Sequence, residues 1–254
     1  MPKDLFSKQA KAYASYRPLY PSELFQHIYG YVESYALAWD AGTGNGQTAK
    51  VLAEKFELVI ATDISEQQLA LATKSANIVY RKEAAEEVTL ATGSADLVTA
   101  SQAAHWFQLD KFYKKVDEVL KPGGCIALFG YGLIGCRDER VNEQVSYLYR
   151  EITAPYWDAE RNYVDDHYST LPFPFAEIAS PGFTINVRWN IDQLTGYLQS
   201  WSAVNHYIKA NEKSPLTIIE DKLASAYSEG EEKDFSFPVF LRLGKKVMLP
   251  AGLI

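Results

Sequence analysis

The first half of the chain alternates short apolar runs with amphipathic segments, and this alternation restricts its fold more than any other feature. The apolar runs at 35–40, 58–62, 78–81, 95–101 and 125–129 have the length of buried strands, and helical spacing of apolar residues occupies segments between them. Strands that alternate with helices form a parallel sheet through right-handed crossovers. We therefore predict an α/β fold with a doubly wound, Rossmann-like sheet.

Local signals mark where the helices of this half begin and end. Ser65 follows the second strand and is suited to cap the N-terminus of a helix. Helices are also expected at 47–55 and 109–120. The Lys-Pro-Gly-Gly stretch at 121–124 indicates that the second of these stops there, because Pro and Gly commonly follow a helix end.

The sequence changes in character after Gly135. The segment 136–180 is rich in aromatic residues and includes a Pro-rich turn, which indicates a helical insertion that folds over the sheet. Beyond it, alternating apolar residues predict strands at 183–191 and 236–247, which bring the expected total to seven. Helices are expected at 193–209 and 216–227.

Composition restricts the classes of partner. The 254 residues include 25 Lys and Arg against 32 Asp and Glu, a net charge of −7, and 47% are hydrophobic. Such apolar content excludes a disordered chain, and the negative charge argues against nucleic acid as a partner. We find no signal peptide, no apolar run of the ~18 residues that a membrane span needs, and only two cysteines, Cys125 and Cys136. We therefore expect a cytoplasmic protein, monomeric or homodimeric, without a membrane partner.

A glycine-rich stretch, D-A-G-T-G-N-G at 40–46, lies where the first strand meets the first helix. Glycines there let the backbone turn sharply and let a ligand approach closely. Asp63 ends the second strand, where a carboxylate can accept hydrogen bonds from both hydroxyls of a ribose. Gln47 stands where the dinucleotide fingerprint has Gly or Ala, and Asp40 would repel a pyrophosphate but attract a cationic amino group. The loop favours an adenosine cofactor with a positively charged amino-acid tail.

At these residues the sequence resembles the class I S-adenosylmethionine-dependent methyltransferases with a type 11 methyltransferase domain. The matching segments keep their order and spacing over about residues 30–132; they are D-A-G-T-G-N-G (40–46), T-D-I-S (62–65), A-E-E (85–87), S-A-D-L-V-T-A-S-Q-A-A-H-W-F (94–107) and L-K-P-G-G (120–124). Three narrower segments are similar to the trans-aconitate methyltransferase-like branch, whose members include carboxyl O-methyltransferases of small acids. They are Y-A-S-Y-R-P-L-Y-P (13–21), S-Q-A-A-H-W-F (101–107) and Y-L-Q-S-W-S-A-V (197–204).

The resemblance implies S-adenosyl-L-methionine as the cofactor and a role for each matching residue. The implied contacts are Asp40, Gly42, Thr43, Gly44 and Gly46 in the loop around the methionine part, Asp63 at the ribose, Ile64, Ala85 and Glu86 around the adenine, and Ser101 and Gln102 beside the sulfonium. The segment 86–94 departs from the family because it lacks the L-P-F that usually follows the acidic residue. The contact of Glu86 with the adenine edge is the implied role that this departure affects.

The candidate acceptor residues lie near the end of the fourth strand and in the flanking segments. A carboxylate acceptor is ionised at pH 7 and needs no base, whereas a phenol or amine needs one. His105 is the candidate base, with Ser101 as a second catalytic candidate, but the histidine could instead orient the loop or stack under Trp106. Arg17 could hold a substrate carboxylate bidentately or close the cofactor pocket. Further substrate-binding candidates are Tyr13, Trp106 and Trp201. No carboxylates and histidines have the spacing of metal ligands.

These inferences favour a methyltransferase of a small molecule, in first place an O-methyltransferase of a small carboxylic acid. Three alternatives stay open: a phenol or quinone-type acceptor with His105 as base, a cofactor-binding module without turnover, and a nicotinamide-dependent dehydrogenase. We expect a single domain over residues 1–254. Its parts are an N-terminal helical cover at 1–34, a cofactor-binding core at 35–132, a helical cap at 133–182 inserted after the fifth strand, and C-terminal strands and helices at 183–254 that complete the sheet.

Overall fold

The structure is a computed structural model that describes residues 16–247. Its strands in chain order are β1 (Leu37–Ala41), β2 (Leu58–Asp63), β3 (Ile78–Lys82), β4 (Ala95–Ser101), β5 (Leu120–Tyr131), β6 (Gly135–Cys136), β7 (Ala176–Ile178), β8 (Phe183–Trp189) and β9 (Lys233–Lys245). They form one sheet in the order β3-β2-β1-β4-β5-β9-β6, with β7 and β8 also paired to β9. Neighbours among β1 to β5 run parallel, whereas β9 is antiparallel to β5 and β8. The predicted α/β class is confirmed.

Helices cover both faces of this sheet. They are α1 (Ser22–Tyr29), α2 (Gln47–Ala53), α3 (Glu66–Ala70), α4 (Leu109–Val119), α5 (Glu139–Tyr147), α6 (Arg161–Asp165), α7 (Ile191–Gln199), α8 (Ser202–Asn211) and α9 (Glu220–Ser225). Side chains alternate between the faces of a strand, so Leu97 of β4 joins a core that contains α1 and α2, and its neighbour Val98 joins a core that contains α4. Burial on both faces explains why these strands read as continuous apolar runs.

The helix α3 begins as predicted, because the Ser65 hydroxyl accepts a hydrogen bond from the Gln68 backbone N–H. The prediction that residues 121–124 end a helix is right about the helix end and wrong about the stretch itself. The helix α4 ends at Val119, but the Lys-Pro-Gly-Gly stretch already belongs to β5 and forms an irregularity where the register with β4 shifts. Gly123 takes a φ of 76° there, and Lys121 pairs with Asp96 at 2.6 Å.

The second half differs from the prediction in strand count and helix length. The sheet has nine strands among the described residues rather than seven, since β6 and β7, of two and three residues, are too short to show a periodicity. The helix expected at 193–209 is two helices, α7 and α8, separated at Ser200 and Trp201. The Ser200 hydroxyl donates to the Tyr197 carbonyl at this break. The helix expected at 216–227 is a 3-10 turn, Pro215–Ile218, followed by α9.

Helical turns follow β5, as the predicted cap requires. They include α5, the π-helix Leu148–Ile152, the 3-10 turn Ala154–Tyr156 and α6. The predicted N-terminal cover at 1–34 lies partly outside the described residues, and Tyr13 lies wholly outside them. Within residues 16–247 no helix is long and apolar enough to cross a membrane.

Candidate functional site

A cleft opens at the carboxyl ends of β1, β2 and β4. It encloses about 1050 Å³ counted out to its open mouth, which is the size of a small-molecule site. Every predicted cofactor residue except Asp40 and Gly46 lines it. Parallel α/β sheets bind ligands at this edge, where the strand order reverses, and here the reversal falls between β1 and β4.

The glycine loop shapes one wall of the cleft. Gly42 and Gly44 have φ values of +65° and +56°, in the left-handed region that glycine adopts without a steric penalty. A Cβ on Gly42 would stand 2.6 Å from the Cβ of Ala103, whereas a Cβ on Gly44 would meet no protein atom closer than 4.0 Å. Gly42 is therefore needed for packing, and Gly44 leaves open space for a ligand. Gly46 begins α2 at a φ of +82° and is backed by Tyr80 rather than by the cleft.

Asp40 does not line the cleft, so the predicted contact with the cofactor's methionine part is not a direct one in this structure. Its side chain is fully buried and accepts hydrogen bonds from the hydroxyls of Thr43 at 2.5 Å and Thr99 at 2.7 Å. Burial raises its pKa to about 6, against the lowering effect of these two hydroxyls. Asp40 thus ties the glycine loop to β4 from beneath.

Asp63 lies in the cleft wall at the end of β2. One carboxylate oxygen accepts from the Gly44 backbone N–H and the other from the Ser65 backbone N–H, both at 2.8 Å. A carboxylate can accept several hydrogen bonds at once, which suits Asp63 to a ligand with vicinal hydroxyls. The same contacts fix the glycine loop against the start of α3.

The three residues predicted to surround the adenine lie in one wall of the cleft. Ile64, Ala85 and Glu86 all line the cleft, and Ala85 is buried at the start of a 3-10 turn. The Glu86 carboxylate accepts from the Gln108 backbone N–H at 2.6 Å. This contact orients Glu86 despite the missing L-P-F segment.

Ser101 and Gln102 form the floor of the cleft at the end of β4. Gln102 has a φ of 51°, which costs a non-glycine residue roughly 1–3 kcal/mol. Its side-chain amide holds this conformation by donating to the Tyr131 carbonyl and accepting from the Tyr131 backbone N–H. The Ser101 hydroxyl accepts from Thr48 at 2.9 Å.

Gln68 was not predicted, and it gives a test of whether a ligand fits this cleft. It is 2% exposed and lines the cleft, yet its Oε1 has no hydrogen-bond donor among residues 16–247. A buried acceptor without a donor is costly, and a cofactor with hydroxyl or amino groups would supply one. Together with the space over Gly44, this residue fits an adenosine cofactor. Its position five residues after Asp63, in the first turn of α3, was the available signal.

A second, smaller cavity adjoins the cleft through shared walls. Arg17, Gln102 and Trp106 line both spaces. The predicted acceptor residues His105 and Trp201 line only the smaller one. Four further residues that sequence reasoning missed complete its wall: Trp157, Asp158, Arg161 and Ser202. They come from the aromatic insertion and the break before α8, where no strand end marks their position.

His105 is 6% exposed, and its Nδ1 lies 2.8 Å from the Tyr168 hydroxyl. Burial, and secondarily the positive charge of Arg161, lower its pKa to about 3. Its ring centroid is 4.7 Å from that of Trp106. The histidine is therefore a neutral, packed residue at pH 7 that faces the smaller cavity.

Two arginines bring positive charge to this cavity. Arg17 donates to the Tyr131 hydroxyl at 3.0 Å and to the Ser200 carbonyl at 3.3 Å. Arg161 is anchored through Nε, which donates to the Tyr149 hydroxyl at 2.9 Å, and its guanidinium lies 5.0 Å from the ring centroid of Trp157. Within the described part of the chain, no group of three or more His, Cys, Asp or Glu residues could hold a metal ion.

Comparisons with known proteins agree with this geometry. A family model described as a methyltransferase domain matches residues 39–128, which contain the glycine loop and Asp63. A Dictyostelium discoideum protein provisionally named a methyltransferase is 36% identical over 250 residues, which are 96% of this chain and 95% of that protein. A methyltransferase of Aspergillus candidus is 29% identical over 72% of this chain and 64% of its own length.

A solved structure supports the same relationship. It is provisionally named a type II methyltransferase, comes from Anaeromyxobacter dehalogenans, and is 36% identical to this chain. The match has a TM-score of 0.84 and covers 92% of this chain and 100% of that one. The cleft geometry, the family model and the two relatives that match over nearly their full length lead to one conclusion: the chain belongs to the class I S-adenosylmethionine-dependent methyltransferases.

Proposed function

We propose that this enzyme methylates a small acid on a carboxylate oxygen. The observation that carries the proposal is the smaller cavity beside the cofactor cleft, which has two guanidinium groups, Arg17 and Arg161, in its wall. Among residues 16–247, Asp158 is the one carboxylate that lines this cavity, and its Oδ2 lies 3.7 Å from His206 Nδ1. The two arginines outnumber the one carboxylate among the described lining residues, which favours an anionic acceptor although the chain as a whole carries −7.

S-adenosylmethionine, held by cleft residues such as Asp63 and Ile64, would supply a methyl group on a sulfonium to an acceptor oxygen and would be released as the neutral thioether. The protein's part is to position the acceptor and exclude water, which can contribute up to ~7–11 kcal/mol. Arg17, Gln102 and Trp106 are suited to this because they line both spaces. A carboxylate is already ionised at pH 7, so no proton has to be removed.

The state of His105 favours a carboxylate over a phenol. A general base works best when its pKa lies near the operating pH, whereas burial lowers the pKa of His105 to about 3. Such an imidazole is a weak base. We therefore rank the phenol or quinone-type acceptor below the acid.

The narrower resemblance supports the same substrate class. Arg17 lies in the Y-R-P turn and Trp201 in the S-W-S stretch of the segments that resemble the trans-aconitate methyltransferase-like branch. Both residues line the smaller cavity. We include a cytoplasmic location in the proposal, as expected from composition.

Methyl-labelled S-adenosylmethionine tests the proposal when it is incubated with the enzyme and a panel of small carboxylic acids and phenols. We expect label in a methyl ester, which mild base hydrolyses to labelled methanol. Asp63→Ala, which should lose the cofactor, is the negative control. Label that appears only in base-stable ethers would refute the carboxylate assignment, and cofactor binding without transfer to any acceptor would refute turnover.

A further inference from the structure

We infer that Tyr168 holds His105 in the tautomer with hydrogen on Nε2, and that this N–H and the Arg161 guanidinium bind a second, non-reacting anionic group of the acceptor. The inference rests on the proposed function, because it assigns the end of the acceptor cavity that lies away from the cofactor. It makes Arg161 a specificity residue and Tyr168 a positioning residue that acts through His105.

The tautomer follows from the hydrogen-bond requirements of one buried pair. Tyr168 is fully buried, and within residues 16–247 its hydroxyl has one acceptor in reach, His105 Nδ1 at 2.8 Å. A buried hydroxyl hydrogen needs an acceptor, which means that Tyr168 donates and Nδ1 accepts. A neutral imidazole then carries its hydrogen on Nε2.

His105 consequently presents a donor to the cavity. Nδ1 is used by Tyr168, which does not line the cavity, and Nε2 is the nitrogen that remains for a ligand. An Nε2–H can donate to an oxygen anion, but it cannot take a proton from a phenol.

Arg161 lines the same smaller cavity and brings two charged donors, its Nη1 and Nη2 groups. Its Nε is engaged by the Tyr149 hydroxyl at 2.9 Å and by Asp165 at 3.3 Å, and its guanidinium packs over Trp157. Neither Nη1 nor Nη2 makes a hydrogen bond to any described residue. A guanidinium fixed in this way with two free donors is suited to bidentate recognition of a carboxylate.

The placement separates this anion from the reacting one. Arg17, Gln102 and Trp106 lie at the junction with the cofactor cleft, whereas His105 and Arg161 line the smaller cavity alone. An acceptor with one carboxylate at the junction and a second anionic group at Arg161 would satisfy both ends. The rings of Trp157 and Trp201 also line this cavity.

The tautomer can be measured on the protein alone. The chain has four histidines, so long-range ¹H–¹⁵N correlation spectra of histidine-labelled protein, assigned with His105→Gln, report which nitrogen of His105 is protonated at pH 7. We expect the Nε2–H pattern, and its loss or mixture with the other tautomer in Tyr168→Phe. An Nδ1–H pattern in the unmodified protein would overturn the inference.

The anion site can be measured by binding rather than turnover. In calorimetry with S-adenosylhomocysteine present, we titrate dicarboxylates of four to six carbons against monocarboxylates of the same length. We expect at least one dicarboxylate to bind about 10- to 100-fold more tightly than its match, with the preference lost in Arg161→Gln and partly kept in Arg161→Lys. Arg150→Gln, an exposed arginine in the same insertion, is the matched control and should keep the preference.

The outcomes separate this inference from the proposed function. No dicarboxylate preference, or a preference that persists in Arg161→Gln, overturns the anion site whether or not acids are methylated. A preference that depends on Arg161, with no methyl ester from any acid, supports the site and refutes carboxylate methylation.

Discussion

Replacing single glycines by alanine separates the two purposes of the glycine loop. Gly42, Gly44 and Gly93 have similar φ values, +65°, +56° and +63°. Their surroundings differ: a Cβ would overlap Ala103 at Gly42, enter the open cleft at Gly44, and meet nothing within 4 Å at Gly93. The three alanine variants therefore share one backbone penalty and differ in what the methyl group meets.

The magnitudes follow from these contacts. The left-handed conformation costs alanine roughly 1–2 kcal/mol, partly offset by the reduced freedom of the unfolded chain. Gly93→Ala and Gly44→Ala should each lower the free energy of unfolding by about 1 kcal/mol. Gly42→Ala adds an overpacked contact at 2.6 Å, worth roughly 1–3 kcal/mol more. Urea denaturation measures all three.

Cofactor affinity should distinguish Gly44→Ala from Gly93→Ala, although the two variants are expected to be equally stable. Its methyl group would occupy space that a ligand needs, so we expect Gly44→Ala to bind S-adenosylhomocysteine at least 10-fold more weakly in calorimetry, about 1.4 kcal/mol. Gly93→Ala, which is remote from the cleft, should bind it as the unmodified protein does. If Gly44→Ala binds as tightly as Gly93→Ala, the close approach of the cofactor to this loop is refuted.

Three further predictions concern titrating groups. Because burial raises the pKa of Asp40 from 3.8 to about 6, the folded state binds the proton more tightly, and the stability that Asp40 contributes falls as pH rises from 4 to 6. Denaturation should show Asp40→Asn gaining about 2 kcal/mol on the unmodified protein over that interval, and a constant difference would contradict it. The pKa of His105 is lowered from 6.5 to about 3, so the pH profile of kcat/KM should show no ionisation of this residue near pH 6.5. A fall in kcat/KM near pH 6.5 that disappears in His105→Gln would instead support His105 as the general base. Asp63→Ala should weaken S-adenosylhomocysteine binding by 10-fold or more while circular dichroism stays unchanged, because two backbone donors and the ribose lose one carboxylate; unchanged affinity would refute the ribose assignment.

The parallel half of the fold was predictable because its signals are local. Strand β4 was predicted with its observed bounds, since both of its faces are buried and Ser101 ends the apolar run. Ser65 was recognisable as a cap from its residue type and position. The break between α7 and α8 was not, because the Ser200 and Asn205 side chains that bond to carbonyls there would be equally acceptable on a continuous helix.

The site divides in the same manner. The candidate cofactor residues that line the cleft stand at strand ends, where sequence can place them. Arg161 and Trp157 lie in the insertion, among short helical turns that no strand end marks. Asp40 shows a different limit: it was predicted as a cofactor contact from its place beside the glycine loop, but Thr43 and Thr99 donate to its two oxygens in the structure. The residue type and position of Asp40 are the same whether its carboxylate contacts a ligand or holds the glycine loop against β4, so only the structure distinguishes the two roles.

A crystal structure with S-adenosylhomocysteine tests the central assignment most directly. We expect the adenine between Ile64 and Ala85, the ribose hydroxyls on Asp63, and the sulfur facing the smaller cavity near Gln102. A sulfur that faces away from that cavity, or an adenine bound elsewhere, would contradict the account.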